Sequence, residues 1–260
     1  MAYIIAIANE KGGVAKTTTA VSLGAALVEA GQTVLLVDLD PQANLSMAVG
    51  IEPVPSSKSI MSVFQDTGSL REHQVETGIP GLDIIPAAFD LGMAERFLPI
   101  RSGYETLLRR LLRTPDWKHD TILLDCPPFL GALTTNALAA ADMLIMPTQA
   151  EYFSVSALRT MMGLIRKIRN EHNPQLLYRL LLTMYDRRNR IHRTLAEQLR
   201  ATFGNGVLET VIEVDTRLRE SAIAGLPIIY HSPHSRSALQ YRALSQEILT
   251  YVKETSAEPA

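Results

Sequence analysis

Residues 9–18 of the chain, NEKGGVAKTT, set two lysines, two glycines and two threonines between an apolar run, YIIAIA (3–8), and a helix-like segment, TTTAVSLGAALVEAG (17–31). Those residue types in a strand, loop and helix context suit the binding of a phosphate chain. Gly12 and Gly13 let the backbone approach an anion with no Cβ in the way. Amides of the loop, through Val14 and Ala15 to the helix start, point at the anion, and the helix dipole favours its charge. Lys16 can reach the β- and γ-phosphates of a nucleotide, and the Thr17 hydroxyl can ligate Mg²⁺. The general pattern, with glycine directly before the lysine, is not met: Ala15 holds that place, and a second lysine, Lys11, stands at the front. The competing reading is a glycine-rich turn ahead of an ordinary core helix.

Two further apolar segments end in acids. LLVDLDPQ puts Asp38 at a strand end and Asp40 two residues later, and TILLDCPP puts Asp125 at another strand end. Ligands of open parallel sheets sit beyond the carboxyl ends of the strands, so these acids should surround the phosphate loop. An apolar strand ending in aspartate is a device for holding Mg²⁺, often through water, and that role falls to Asp125. Asp40 suits a carboxylate that orients or deprotonates an attacking water. Asp38 is assigned to ordering the loop or the metal shell.

Positioning these groups requires alternating strands and helices. Strands are expected at 3–8, 33–40, 81–87, 120–128, 141–148, 176–186 and 207–213, the fourth broken by the Pro127–Pro128 pair and the fifth stopped by Pro147. Helices are expected at 17–30, 103–113, 154–172, 191–203 and 235–254, with helical pieces at 60–66 and up to Leu98. The alternation runs without a Ser/Gly-rich linker. It predicts an α/β fold with a mainly parallel twisted sheet covered by helices on both faces. One domain over 1–253 and a disordered tail over 254–260 are expected.

Composition narrows the classes. The 260 residues are 47% hydrophobic, enough for a sizeable core, and the net charge of −2 supplies no whole-molecule attraction to nucleic acid or membrane. The single cysteine, Cys126, forms no intrachain disulfide and suits a reducing cytosol. It is read as a core or loop thiol, and the six histidines show no metal spacing. No leader opens the chain, and no apolar run approaches the roughly 20 residues needed to span a bilayer. Any polyanion binding must come from a local patch. YDRRNRIHR (185–193) clusters Arg187, Arg188, Arg190 and Arg193, and TRLRES (216–221) adds Arg217 and Arg219. A solvated helix face is the plain reading. No motif for base edges is present, so a nucleic-acid role would mean sequence-independent phosphate contact.

KGGVAKTT resembles the deviant Walker A box of the ParA/MinD ATPases. LLVDLDPQANLS (35–46), LDCPPFLGALTTNAL (124–138), PTQAEYFSVSAL (147–158), LLTMYDRRNR (181–190) and GLPIIYHSPHSRSALQYRAL (225–244) extend the likeness to a ParA-type partition ATPase over about 1–253. The resemblance implies an ATP- and Mg²⁺-dependent ATPase that is a homodimer when ATP-bound. It implies nucleotide contacts from Lys11 to Thr18, with Lys11 reaching across to the partner's nucleotide. Lys16, Thr17, Thr18, Asp40 and Asp125 match family active-site positions, and Pro127 and Pro128 begin the second switch loop. It further implies non-specific DNA binding at the places of Arg188 and Arg217. A centromere-binding or cargo adaptor protein that stimulates hydrolysis, and a cytoplasmic protein acting over the nucleoid, are also implied. Departures are Ala15 for glycine, Glu10 where glutamine is frequent, and EVDTRLRES (213–221) at the adenine end. ATP rests on the resemblance, and the residues themselves leave GTP open. A MinD-like membrane ATPase would need a basic terminal amphipathic helix, whereas the closing segment carries Glu247, Glu254 and Glu258, so no membrane partner is expected. The other alternative is an ATP-dependent small-molecule ligase, which would need neither Lys11 nor the arginines.

Overall fold

Segments apolar on both faces need cover on both faces, and the sheet shows how that is met. The computed structural model describes residues 1–66, 68–151 and 154–257. The strands are β1 (Tyr3–Ile7), β2 (Val34–Asp38), β3 (Val75–Glu76), β4 (Leu82–Ile85), β5 (Thr121–Asp125), β6 (Met143–Gln149), β7 (Leu177–Tyr185) and β8 (Val207–Glu213). They form one sheet in the order β3-β4-β2-β5-β1-β6-β7-β8. Every neighbouring pair is parallel except the short β3–β4 edge pair.

Side chains alternate between two separate cores. Ile4 and Ala6 of β1, Leu35 and Val37 of β2, and Ile122 and Leu124 of β5 face one; Ile5, Ile7, Val34, Leu36 and Leu123 face the other. The helices, in chain order, are α1 (Lys16–Glu29), α2 (Asn44–Ala48), α3 (Ile60–Phe64), α4 (Ala94–Phe97), α5 (Leu107–Leu112), α6 (Ala132–Ala140), α7 (Ser154–Glu171), α8 (Arg190–Phe203), α9 (Arg217–Ile223), α10 (Ile228–His231) and α11 (Arg236–Ala257). Helices α3 to α8 cover the first core; α1, α2, α10 and α11 cover the second. Tyr241 of α11 is fully buried and its hydroxyl pairs with Thr19 of α1 at 3.3 Å. The Glu247 carboxylate accepts from the amides of Glu209 and Thr210, at 2.8 and 3.0 Å. An acid of the closing helix thus covers backbone donors of edge strand β8.

Three expectations need correction. β6 is not stopped by Pro147 but runs to Gln149. Its pairing with β1 ends at Ile145, and the Pro147 carbonyl on that side accepts from Asn9 Nδ2 at 2.8 Å. The missing proline N–H therefore faces a region where no ladder partner remains. The segment before Leu98 is mostly 3₁₀ turns around the four-residue α4. Helix α11 continues through Ala257, four residues into the segment expected to be disordered; 258–260 lie outside the described residues. No helix among the described residues is long and apolar enough to cross a membrane.

The strand order places the site. β1 lies between β5 and β6, so the loop leaving β1 emerges flanked by the carboxyl ends of both neighbours. Ile7 is in register with Asp125, and Asp125 with Asp38.

Candidate nucleotide site

The loop from Asn9 to Ala15 is stapled to its surroundings. Asn9 is bonded to β6; buried Val14 offers its carbonyl to Thr183 Oγ1 of β7 at 3.0 Å; Gln149 Nε2 lies 3.4 Å from the Gly13 carbonyl. Gly13 has φ +73, the left-handed region that glycine enters without penalty. Helix α1 then starts with no side-chain cap and no acid in its first turn. Among the described residues no side chain caps its N-terminal amides, the condition for receiving an anion. Gly12, Gly13, Ala15, Lys16, Thr17 and Thr18 line a cavity of about 440 Å³ shared with Asp40 and Pro128.

Lys16 is 7% exposed, and its Nζ donates to the Lys11 carbonyl at 3.1 Å. Burial lowers its pKa, while the charges of Asp125 and Asp40 act in the opposite direction. Asp125 is fully buried, and among the described residues no hydrogen bond of ordinary geometry reaches either carboxylate oxygen. Burial pushes its carboxyl well above the usual range and Asp38 adds to the rise; the neighbouring Thr17 hydroxyl and Lys16 pull the other way. An orphaned buried carboxylate beside a threonine hydroxyl fits a divalent cation that also takes phosphate oxygens. Among the described residues no group of three or more His, Cys, Asp and Glu side chains forms a metal cage by itself.

Asp38 does different work. Its oxygens accept from the amides of Asp40 and Ser46, at 3.1 and 2.9 Å, and from Ser46 Oγ at 2.7 Å. Burial carries its pKa to about 6, against the pull of those donors. It fixes the turn into α2 and does not line the cavity. Asp40 does line it; Oδ1 accepts from the Gln42 amide at 2.9 Å, and among the described residues no donor is bonded to Oδ2. Cys126 is buried, and burial raises its thiol well above the usual value, as suits a core residue.

The two front residues depart furthest from sequence intuition. Lys11 is folded back on its own chain, with Nζ 2.7 Å from Gln149 Oε1 and 2.6 Å from Glu151 Oε2. Ala15 sits at φ 69, ψ 35, the left-handed region. That conformation costs an L-residue about 1–2 kcal/mol. A glycine there relieves it but gains about 0.4–1 kcal/mol of unfolded-state freedom. Ala15→Gly is therefore expected to stabilise the nucleotide-free chain by up to about 1.6 kcal/mol. Denaturant unfolding measures this, and a lower midpoint with an unchanged slope would contradict it.

A family model described as an AAA domain matches residues 2–178. The sporulation initiation inhibitor protein Soj of Bacillus subtilis is 39% identical over 249 residues, 95% of this chain and 98% of that protein. The chromosome partitioning protein ParA of Caulobacter vibrioides is 36% identical over 260 residues, 99% of this chain and 97% of that protein. The chain belongs to the ParA/Soj family of partition ATPases. Among solved structures, cobyrinic acid a,c-diamide synthase from Mycobacterium smegmatis with bound ADP and magnesium superposes at TM-score 0.85 with 34% identity, covering 100% of this chain and 99% of that one.

In this ParA-type chain the structure brings Lys16, Thr17, Thr18, Asp40 and Pro128 to one cavity, with Asp125 buried close to Lys16 and Thr17, and Lys11 joined to Lys16 through its carbonyl. Pro127 lies in the same loop as Pro128, after Asp125. The arginines divide. Arg187, Arg188, Arg190 and Arg193 are exposed at the end of β7 and the start of α8, and Arg217 is exposed on α9. Arg187 is paired with Glu213 at 2.9 Å, Arg188 with Asp186 at 3.1 Å, and Arg193 Nη1 donates to the Arg187 carbonyl at 2.7 Å. Arg219, grouped with them by sequence and likewise exposed, also lines the nucleotide-sized cavity with Leu218 and Asp215. Sequence reading missed Gln42, Asn44 and Met184, which also line that cavity. It also missed the roles of Gln149 and Glu151. The position of Gln149 at a strand's carboxyl end was a usable signal; the distant partnership with Lys11 had none.

Proposed function

We propose that the chain is an ATP-driven dimerising ATPase that partitions or positions a large cargo, a plasmid, chromosome or protein assembly, by binding DNA without sequence preference. The observation that carries this reading is the buried Asp125 carboxylate, with the Thr17 hydroxyl beside it and no hydrogen bond of ordinary geometry among the described residues, near an uncapped helix start and Lys16. Lys16 and the loop amides bind the β- and γ-phosphates. Thr17 and Asp125 would hold Mg²⁺, which would offset phosphate charge. Asp40 orients the attacking water and accepts its proton, and Lys11 leaves Gln149 and Glu151 to reach the partner's nucleotide. Hydrolysis removes the γ-phosphate that holds the dimer together, so the chain works as a switch. A centromere-binding or cargo adaptor would stimulate that step, in the cytoplasm over the nucleoid. Relatives named Soj and ParA, 39% and 36% identical over nearly the whole chain, support this reading.

The DNA surface is the segment from Arg187 to Arg193 together with Arg217. The Arg188–Asp186 pair lies at the surface, where such pairs contribute about 0–1 kcal/mol, so a phosphate competes for Arg188 at little cost. Arg187 is itself exposed, and its buried partner Glu213 keeps Arg236 at 3.0 Å when Arg187 turns to a phosphate. A dimer doubles the surface and raises effective affinity without new contacts. With about six counterions released, a fourfold rise in salt should weaken binding on the order of a thousandfold. Fluorescence anisotropy on two unrelated duplexes, with ATP and with ADP, tests this. Binding should require ATP and ignore sequence, and Arg188→Glu or Arg217→Glu should weaken it and flatten the salt slope. Equal binding in ATP and ADP would remove the patch from the mechanism. A second reading, an ATP-dependent enzyme acting on a small molecule, draws on the 34% identity to the Mycobacterium smegmatis synthase. ATP turnover with no organic acceptor present, stimulated by DNA, separates the two.

A further inference from the structure

We propose that Glu95 is a positioning residue for ATP hydrolysis: its carboxylate, supplied from outside, fixes the loop Cys126–Gly131 that joins Asp125 to α6. Helix α6 begins after Gly131, which has no side chain to cap it. The cap comes from α4 instead. The Glu95 carboxylate accepts from the amides of Ala132 and Leu133, at 2.5 and 3.2 Å. An ionised acceptor at a helix start is a strong form of cap, because it meets both free N–H groups and the positive end of the dipole. Glycine at 131 is what permits the approach: a Cβ there would collide with Glu95 Oε2 and with the ring of Phe129. Thr134 Oγ1 closes the turn from within, donating to the Phe129 carbonyl at 2.6 Å.

The fastened loop is the one that matters for chemistry. It opens directly after Asp125 and carries Pro128 into the wall of the nucleotide cavity. The same short segment that presents Glu95 also meets the other acid's loop. A Cβ on Gly92 would lie 3.6 Å from Pro41, the residue after Asp40. Upstream, Asp90 is tied by Ser56 Oγ at 2.6 Å. Residues 90–95 thus run beside the loop after Asp40 and, through Glu95, hold the loop after Asp125. Burial raises the Glu95 carboxyl and the two amides hold it down. Glu95 does not line the cavity, so its influence passes through the loop it holds.

The inference rests on the ATPase reading, and the experiment separates the two. Steady-state ATP turnover, KM for ATP and thermal midpoint are measured on the full chain and on Glu95→Ala, Glu95→Gln and Gly131→Ala, well below every midpoint. Misplacing a reacting group by about 1 Å costs up to a hundredfold, so Glu95→Ala should lower kcat on the order of ten- to a hundredfold. KM should stay within about threefold, because the phosphate loop is untouched. Glu95→Gln keeps one acceptor oxygen and should recover part of kcat. Gly131→Ala leaves the carboxylate present but displaces it, and should lower kcat as Glu95→Ala does. If Glu95→Ala does not fold, the other two variants carry the same expectation. A kcat within about twofold of wild type in the folded variants, with only the midpoint lowered, would reduce Glu95 to a stabilising cap and overturn the proposal. A wild-type chain that turns over no ATP would overturn the ATPase reading and this inference with it.

Discussion

Lys16→Ala is expected to abolish useful ATP binding. Lys16 is the buried cation of the cavity, with its Nζ anchored on the Lys11 carbonyl. Burial works against its charge in the empty site, and a nucleotide's phosphates would bring compensating negative charge. Removing one partner of a buried charged pair costs about 2–5 kcal/mol. At about 1.4 kcal/mol per tenfold, affinity should fall roughly thirty- to several-thousand-fold. Calorimetric titration with an ATP analogue measures this. An affinity within about threefold of wild type would show that the loop amides alone hold the phosphates.

Asp40→Ala should separate binding from chemistry. The Asp40 backbone is held by Asp38, and one carboxylate oxygen by the Gln42 amide. Its other oxygen has no bonded donor among the described residues while the side chain lines the cavity, which suits a group that takes a proton from water. General-base catalysis contributes typically 10²–10⁴-fold, so kcat should fall by about that factor while ATP affinity holds. Single-turnover hydrolysis with excess protein gives the answer without the complication of product release. A loss smaller than about tenfold would move the base to another residue.

The sheet and the phosphate loop were legible because their signals are local. β1, β2 and β5 are apolar on both faces, and the residues of the loop follow one another in the chain. What was not legible depends on contacts between distant segments. Lys11 meets Gln149 and Glu151 across separations of 138 and 140 residues, which no spacing rule reports. Glu95 caps a helix that begins 37 residues later. Pro147 reads locally as a strand stop, and only the neighbour order shows that its missing donor faces no partner. Arg219 and Arg217 look alike in sequence and both are exposed on α9, but only Arg219 lines the cavity. Ala15 was visible as a departure from glycine, but its left-handed backbone was not.

The Lys11 ammonium bears most directly on the claim of a nucleotide-driven dimer. In the single chain it is held by Gln149 and a half-exposed Glu151, at 2.7 and 2.6 Å. A partly exposed pair of this kind is worth about 0–1 kcal/mol, so a γ-phosphate presented by a second copy can draw the ammonium away. Sedimentation velocity of the wild-type chain and of Lys11→Ala, each with Mg²⁺ and either a non-hydrolysable ATP analogue or ADP, tests this. The expected result is a wild-type dimer with the analogue and a monomer with ADP, and a Lys11→Ala chain that binds the analogue yet stays monomeric. One oligomeric state for the wild-type chain in both nucleotides, or a Lys11→Ala dimer as stable as the wild type, would contradict it.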